Sequence, residues 1–264
     1  MQQITIIKIG GNIIDDETKL KKFLSDFSKI PFGKILVHGG GKLATDMSLR
    51  MGINPKMVDG RRITDTETLK LVTMVYAGWI NKNIVAQLQK ANCDAIGLSG
   101  ADACIIPATK RKVETIDYGY VGDIDTNDIS SARLKLLIDN GLIPIVAPIT
   151  FETTTAQLLN TNADTVASSL AIALSKTCEV KLIYCFEKGG VVKNVDDESS
   201  LIEHIKQNEY ADLKQSGVIS KGMIPKLDNA FKAIQKGVKE VVIGHADFVL
   251  DIVNSKNKGT KLSA

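Results

Sequence analysis

Short apolar runs alternate with amphipathic stretches of helical period along most of this chain, and that alternation is its strongest constraint on fold. The runs ITIIKIG (4–10), KILVHG (34–39), DAIGLSG (94–100), LIPIVAPI (142–149), VKLIYCF (180–186) and KEVVIG (239–244) read as strands. Most carry apolar residues on both faces, as strands of a parallel sheet covered by helices on both sides must. Helical periodicity fills the intervals: ETKLKKFLSDFSK (17–29), LATDMSLRMG (43–52), a long stretch over 67–91, then 127–140, 163–175 and 224–237. The expected fold class is therefore α/β: a three-layer αβα sandwich with an open, mostly parallel central sheet. The glycine-containing stretch VETIDYGYVGD (113–123) reads as a β-hairpin. The polar, Thr-rich TFETTTAQLLNTN (150–162) reads as the junction between a lobe of residues 1–150 and one of 151–264 within a single domain.

Composition excludes several functions. Lys+Arg 33 against Asp+Glu 30, with aromatics at 5%, offers neither the basic field nor the stacking surface of a nucleic-acid binder. No apolar run approaches a membrane span, and MQQITIIKIGGN enters a strand at once, without the basic and apolar regions of a signal peptide. The four cysteines form no CxxC pair and no metal-ligand rhythm, so they read as reduced core thiols of a cytoplasmic protein.

Four motifs carry chemistry. In KILVHGGGKLA (34–44) three glycines follow a strand and open a helix, more than a turn needs, so Gly39, Gly40 and Gly41 read as backbone donors for an anion. The same residues fit the loose GxGxxA dinucleotide pattern, with Asp59 as a candidate ribose acid, while the GxxxxGK[ST] phosphate-loop pattern fails. In IIKIGGN, Lys8 stands inside a run with Ile on both faces, where its ammonium requires an anion, and Gly10 and Gly11 end the strand. Two such glycine loops converge at the carboxyl edge of one sheet, where α/β proteins bind ligands. In LLNTNADTVA, Asn160, Asn162 and Asp164 offer more polar groups than one helix cap requires. In SKGMIPKLDNAFKAIQKG, Lys221 and Lys226 crowd a helix N-terminus, where the macrodipole disfavours cations unless an anion joins them.

KIGGN, HGGG, GRRIT (60–64), LNTNADTVA and GMIPK occur in the order seen in N-acetyl-L-glutamate kinases of the amino-acid-kinase superfamily, which the chain resembles over its whole length. The resemblance implies ATP-dependent phosphorylation of the side-chain carboxylate of an N-acyl-L-glutamate, in arginine biosynthesis. It implies Lys8 and Lys226 as the lysines on the transferred phosphoryl group, with Asp164 orienting them. Gly40 and Gly41 would face the substrate, Arg62 and Asn160 would grip its carboxylate and amide, and Gly10, Gly11 and Gly39 would complete the phosphate loops. ATP would lie by Lys188, Gly189 and Gly190 and by Ser220, Lys221, Gly222 and Met223, with Mg2+ carried on its phosphates and no protein metal site. A homodimer is implied, with the helix 67–91, bearing Tyr76 and Trp79, as its interface. The missing N-terminal helix of hexameric relatives implies no arginine feedback.

Two positions depart from the family pattern. CFEKGG puts Glu187 where many members have an aspartate, which leaves the nucleotide-loop details open. Arg61 replaces a common leucine beside the substrate arginine. Either it is solvated or paired with Asp59 or Asp65, or it reaches a longer, acidic acyl group such as that of N-succinyl-glutamate. Other kinases of the superfamily, for carbamate, aspartate or uridylate, are rivals that GRRIT and NTNAD disfavour, and an NAD-dependent dehydrogenase is the rival of another class.

Overall fold

Eight strands form one sheet in the computed structural model, which describes residues 1–31, 33–58, 60–194, 197–219, 223–256 and 258–264. In chain order they are β1 (Gln3–Ile9), β2 (Lys34–His38), β3 (Ala95–Leu98), β4 (Ile143–Val146), β5 (Glu179–Phe186), β6 (His204–Lys206), β7 (Glu240–His245) and β8 (Thr260–Ser263). Across the sheet the order is β6-β8-β7-β5-β1-β2-β4-β3. Every pairing is parallel except β7 with β8. This is the α/β architecture that the alternation predicts, with β6 and β8 as strands that the sequence reading did not anticipate.

The helices of eight residues or more are α1 (Glu17–Lys29), α2 (Gly41–Arg50), α3 (66–90), α4 (Ser131–Asp139), α5 (Ala163–Ser175), α6 (Gln207–Gln215) and α7 (Ile224–Gln235). Strand parity sorts them onto the two faces. Ile4 and Ile6 of β1, with Leu182 and Tyr184 of β5, pack in one apolar cluster with α4, α5 and α7. Ile7, Ile9 and Cys185 pack in the other with α1 and α3. Lys8 has the parity of Ile4 and Ile6, so its side chain rises on the α5–α7 face. At the opposite end of β2, buried Lys34 donates to the carbonyls of Phe27, Ser28 and Ile30 and so closes the C-terminus of α1.

Helix α3 is continuous but not uniform. It runs as α-helix over Thr66–Thr73, as π-helix over Met74–Ile80, and as α-helix again over Asn81–Lys90. The stretch 113–123 forms no hairpin with itself. Its end, Gly122–Asp123, pairs antiparallel with Thr109–Lys110, while Gly119 and Val121 bridge to Thr64 and Asn160. Gly119 is required there, because a Cβ would stand 2.2 Å from the Thr64 carbonyl oxygen. The Thr-rich connection is likewise structured: Ile149–Phe151 pairs antiparallel with Leu158–Asn160. These non-local pairings, with the local pairing of Arg62 to Met57, carry Arg62, Thr64 and Asn160 to the rim of the sheet, next to the glycine loops.

Candidate active site

At the carboxyl end of β1 the Lys8 ammonium lies 2.8 Å from Asp164 Oδ1, and both side chains are close to fully buried. Asp164 stands in the first turn of α5, where the Asn162 side chain caps the helix by accepting from the N–H groups of Asp164 and Thr165. Asn162 is therefore the cap, and its two neighbours are released for other work. Lys226, on the first turn of α7, places its Nζ 3.6 Å from the centre of the Phe186 ring, while Lys8 Nζ is 5.4 Å from the same ring. Burial pushes the Lys226 pKa down, Asp164 opposes that shift, and Lys8 reinforces it. Two ammonium groups thus share one buried carboxylate and one aromatic face, with Glu187 a smaller influence on Lys226, so an incoming anion meets two cations held side by side.

Gly10, Gly11, Lys8 and Lys226 line two clefts, of about 470 and 680 Å³, that meet at this charge. The larger is rimmed by Gly39, Gly40, Gly41, Arg62, Asn160 and Asp164. Arg62 is 8% exposed, and its Nη2 donates to the Gly41 carbonyl and to Thr45 Oγ1. Its Nη1 is buried with no hydrogen-bond partner among the described residues, a donor held ready for an anion. Asn160 Nδ2 donates to Thr64 Oγ1 at 3.0 Å, which fixes the amide beside that guanidinium. Tyr76 is buried and lines the same cleft, so it does not lie on an exposed helix face with Trp79. Burial raises its pKa against the opposing pull of Arg62.

The smaller cleft has apolar walls, including Ile13, Val191, Val192 and Met223, with Glu187, Lys188 and Gly190 along its edge. Gly189 is not among its lining residues. Ser220, Lys221 and Gly222 lie outside the described residues, as does Asp59. Arg61 is exposed at the rim of the larger cleft and forms no ion pair among the described residues. Asp65 is engaged elsewhere, accepting from Thr68 N as the cap of α3.

The expected site residues that the structure describes converge on this junction, Gly189 excepted. Sequence reasoning missed Phe186, Thr64 and Thr45. Phe186 shares the strand parity of Tyr184, a signal that separates faces but does not reveal a ring beneath two ammonium groups. No helix among the described residues is long and apolar enough to cross a membrane.

Parallel strands deliver two glycine loops and Lys8, and a helix delivers Lys226, to one carboxylate at the sheet edge, and residues 3–245 match the amino acid kinase family. The chain belongs to that family. Among its relatives, the acetylglutamate kinase of Cytophaga hutchinsonii is 53% identical over 266 residues, with both chains covered completely. The acetylglutamate kinase of Bacteroides thetaiotaomicron is 48% identical, covering 99% of this chain and 98% of its own. Among solved structures, smu.665 from Streptococcus mutans is 28% identical with a TM-score of 0.77, covering 99% of this chain and 98% of that one.

Proposed function

We infer that this chain is an ATP-dependent kinase that phosphorylates the side-chain carboxylate of N-acetyl-L-glutamate, the acyl-phosphate-forming step of arginine biosynthesis. The observation that carries the reading is the buried Lys8–Asp164 pair facing Lys226 where the two clefts meet. The acceptor carboxylate, with an ordinary pKa of about 4.3, is already ionised at neutral pH and needs no general base. Catalysis then consists of alignment and charge stabilisation. A carboxylate oxygen bonds to the γ-phosphorus as the bond from phosphorus to the β,γ-bridging oxygen breaks, and ADP leaves with that electron pair. Lys8 and Lys226 stabilise the charge on the transferring group, and Asp164 holds both ammonium groups in place without neutralising them. Backbone N–H groups of the two glycine loops supply further donors.

In this reading Arg62 Nη1 and Asn160 grip the substrate's α-carboxylate and amide in the larger cleft. ATP lies in the smaller one, its base against Val191, Val192 and Met223, and Mg2+ arrives on its phosphates. The first 150 residues bring most of the acceptor side and the rest most of the nucleotide side, although Asn160 and Asp164 reach across. The working form is a cytoplasmic homodimer joined through α3, supported by exposed Met74 and Trp79 on that helix.

Purified protein with ATP, Mg2+ and hydroxylamine, offered a panel of carboxylates, tests this. N-acetyl-L-glutamate should give the hydroxamate of the trapped acyl phosphate, with one ADP per hydroxamate, whereas free glutamate, aspartate and carbamate should not. Arg61, exposed at the cleft rim and in no ion pair among the described residues, makes N-succinyl-glutamate the informative further member of the panel. A wild-type preference for it that disappears in Arg61→Leu reassigns the acyl group. No hydroxamate from any N-acyl-glutamate overturns the reading.

A further inference from the structure

Behind the glycine loop, on the sheet face opposite Lys8, lies a polar chain that the transfer chemistry above does not use. His38 is fully buried, with Nδ1 2.9 Å from the Gly39 carbonyl oxygen and Nε2 3.1 Å from Asn81 Nδ2. Asn81, 1% exposed, also donates from Nδ2 to the Ile145 carbonyl at 2.8 Å, and its Oδ1 accepts from Lys82 Nζ. A carbonyl on one side and an ammonium on the other fix which end of the amide is nitrogen. An amide nitrogen only donates, so Nε2 of His38 must accept, and the imidazole proton sits on Nδ1, where it donates to the Gly39 carbonyl. The sheet is cleared for this arrangement: a Cβ at Gly97 would stand 2.0 Å from Asn81 Oδ1.

The consequence lies on the other side of one peptide plane. In a trans peptide the carbonyl of Gly39 and the N–H of Gly40 point in opposite directions. Holding the carbonyl against buried His38 therefore turns the Gly40 N–H away from the core, and it has no acceptor among the described residues. Gly40 adopts φ +143°, and a Cβ there would stand 2.2 Å from Ile80 Cδ1, the last residue of the π segment and the neighbour of Asn81. The end of the π segment and the residue after it thus bring the wedge that requires glycine and the amide that sets the histidine tautomer to the same loop.

We propose that His38 and Asn81 are positioning residues for phosphoryl transfer: Asn81 sets His38 as the Nδ1–H tautomer, and His38 pins the Gly39–Gly40 peptide with its N–H aimed at the transferring group. The proposal rests on the kinase reading, but its first test does not. In wild-type protein with 15N-labelled histidine at neutral pH, His38 should show a protonated Nδ1 and an unprotonated Nε2. The opposite tautomer overturns the proposal.

The second test separates positioning from packing. His38→Asn places an amide nitrogen near the Nδ1 position and keeps the bond to Gly39, but it leaves a hole. His38→Gln fills more of the space and reaches Asn81, but it leaves the Gly39 carbonyl unheld. Packing alone ranks Gln at or above Asn in both Tm and kcat. Positioning ranks Asn above Gln in kcat by about tenfold or more, on the scale of a misaimed oxyanion donor, with KM for the acyl substrate moving less. If kcat follows Tm across the two variants, the pair is structural only. A wild-type protein without kinase activity would sink the functional reading and leave the tautomer result standing.

Discussion

A lysine in a central parallel strand persists only inside a charge arrangement, and Lys8 has one in Asp164 at 2.8 Å. That need was legible in the sequence, because Ile on both sides of Lys8 placed it in the sheet interior and LNTNAD supplied an acid at a helix start. The role of His38 was not legible. Its partner Asn81 lies 43 residues away, and one histidine ending a strand gives no periodic signal. Burial, with nearby Lys82 adding to it, pushes the His38 pKa from 6.5 down to about 4, while its bond to the Gly39 carbonyl opposes the shift. The unfolded chain therefore binds a proton between these values that the folded chain refuses, so stability falls as pH drops from 6.5 toward 4. The loss attributable to His38 is about 3 kcal/mol over that interval. Denaturant unfolding at pH 7 and pH 4 should show the stability gap between wild type and His38→Gln shrinking, or reversing, by about that amount. An equal acid loss in both proteins would mean that His38 titrates normally.

Among the elements, α3 departs furthest from expectation. Its apolar pattern predicted one long helix, and it is one, but seven residues cannot separate a period of 3.6 from the wider π turn, so Met74–Ile80 was invisible as such. In a π turn residues five apart share a face. Val75 and Ile80 turn inward, while Met74 at 55% and Trp79 at 68% exposure turn outward together. Two large apolar side chains side by side on one helix suit an interface, and a second copy of the same helix across a two-fold axis would cover them symmetrically. Light scattering should give twice the chain mass for wild type and the monomer mass for Trp79→Glu. A monomeric wild type, or a dimer that survives that substitution intact, removes α3 as the interface. The misread stretch 113–123 fails for a related reason: local glycines suggested a turn within it, whereas its partners, Thr109–Lys110, Thr64 and Asn160, all lie outside it.

On the scale of the whole molecule, β1 and β2 deliver both glycine loops to one edge, and the two clefts meet there at Lys8 and Lys226. Alternation along the chain was enough to read the sheet and its helical layers. The two strands at that edge, β6 and β8, are short and half-polar, and only the pairing of β8 with β7 and of β6 with β8 makes them part of the sheet. On the proposed chemistry the two lysines act mainly on the phosphoryl group in transit and little on the acyl substrate at rest. The most direct test is steady-state kinetics of Lys226→Ala with ATP and N-acetyl-L-glutamate, with Tm measured alongside. We predict kcat lower by about two orders of magnitude or more, close to 2.7 kcal/mol of transition-state stabilisation, with KM for the acyl substrate changed by less than about threefold and Tm near wild type. Wild-type turnover in that variant would contradict the account.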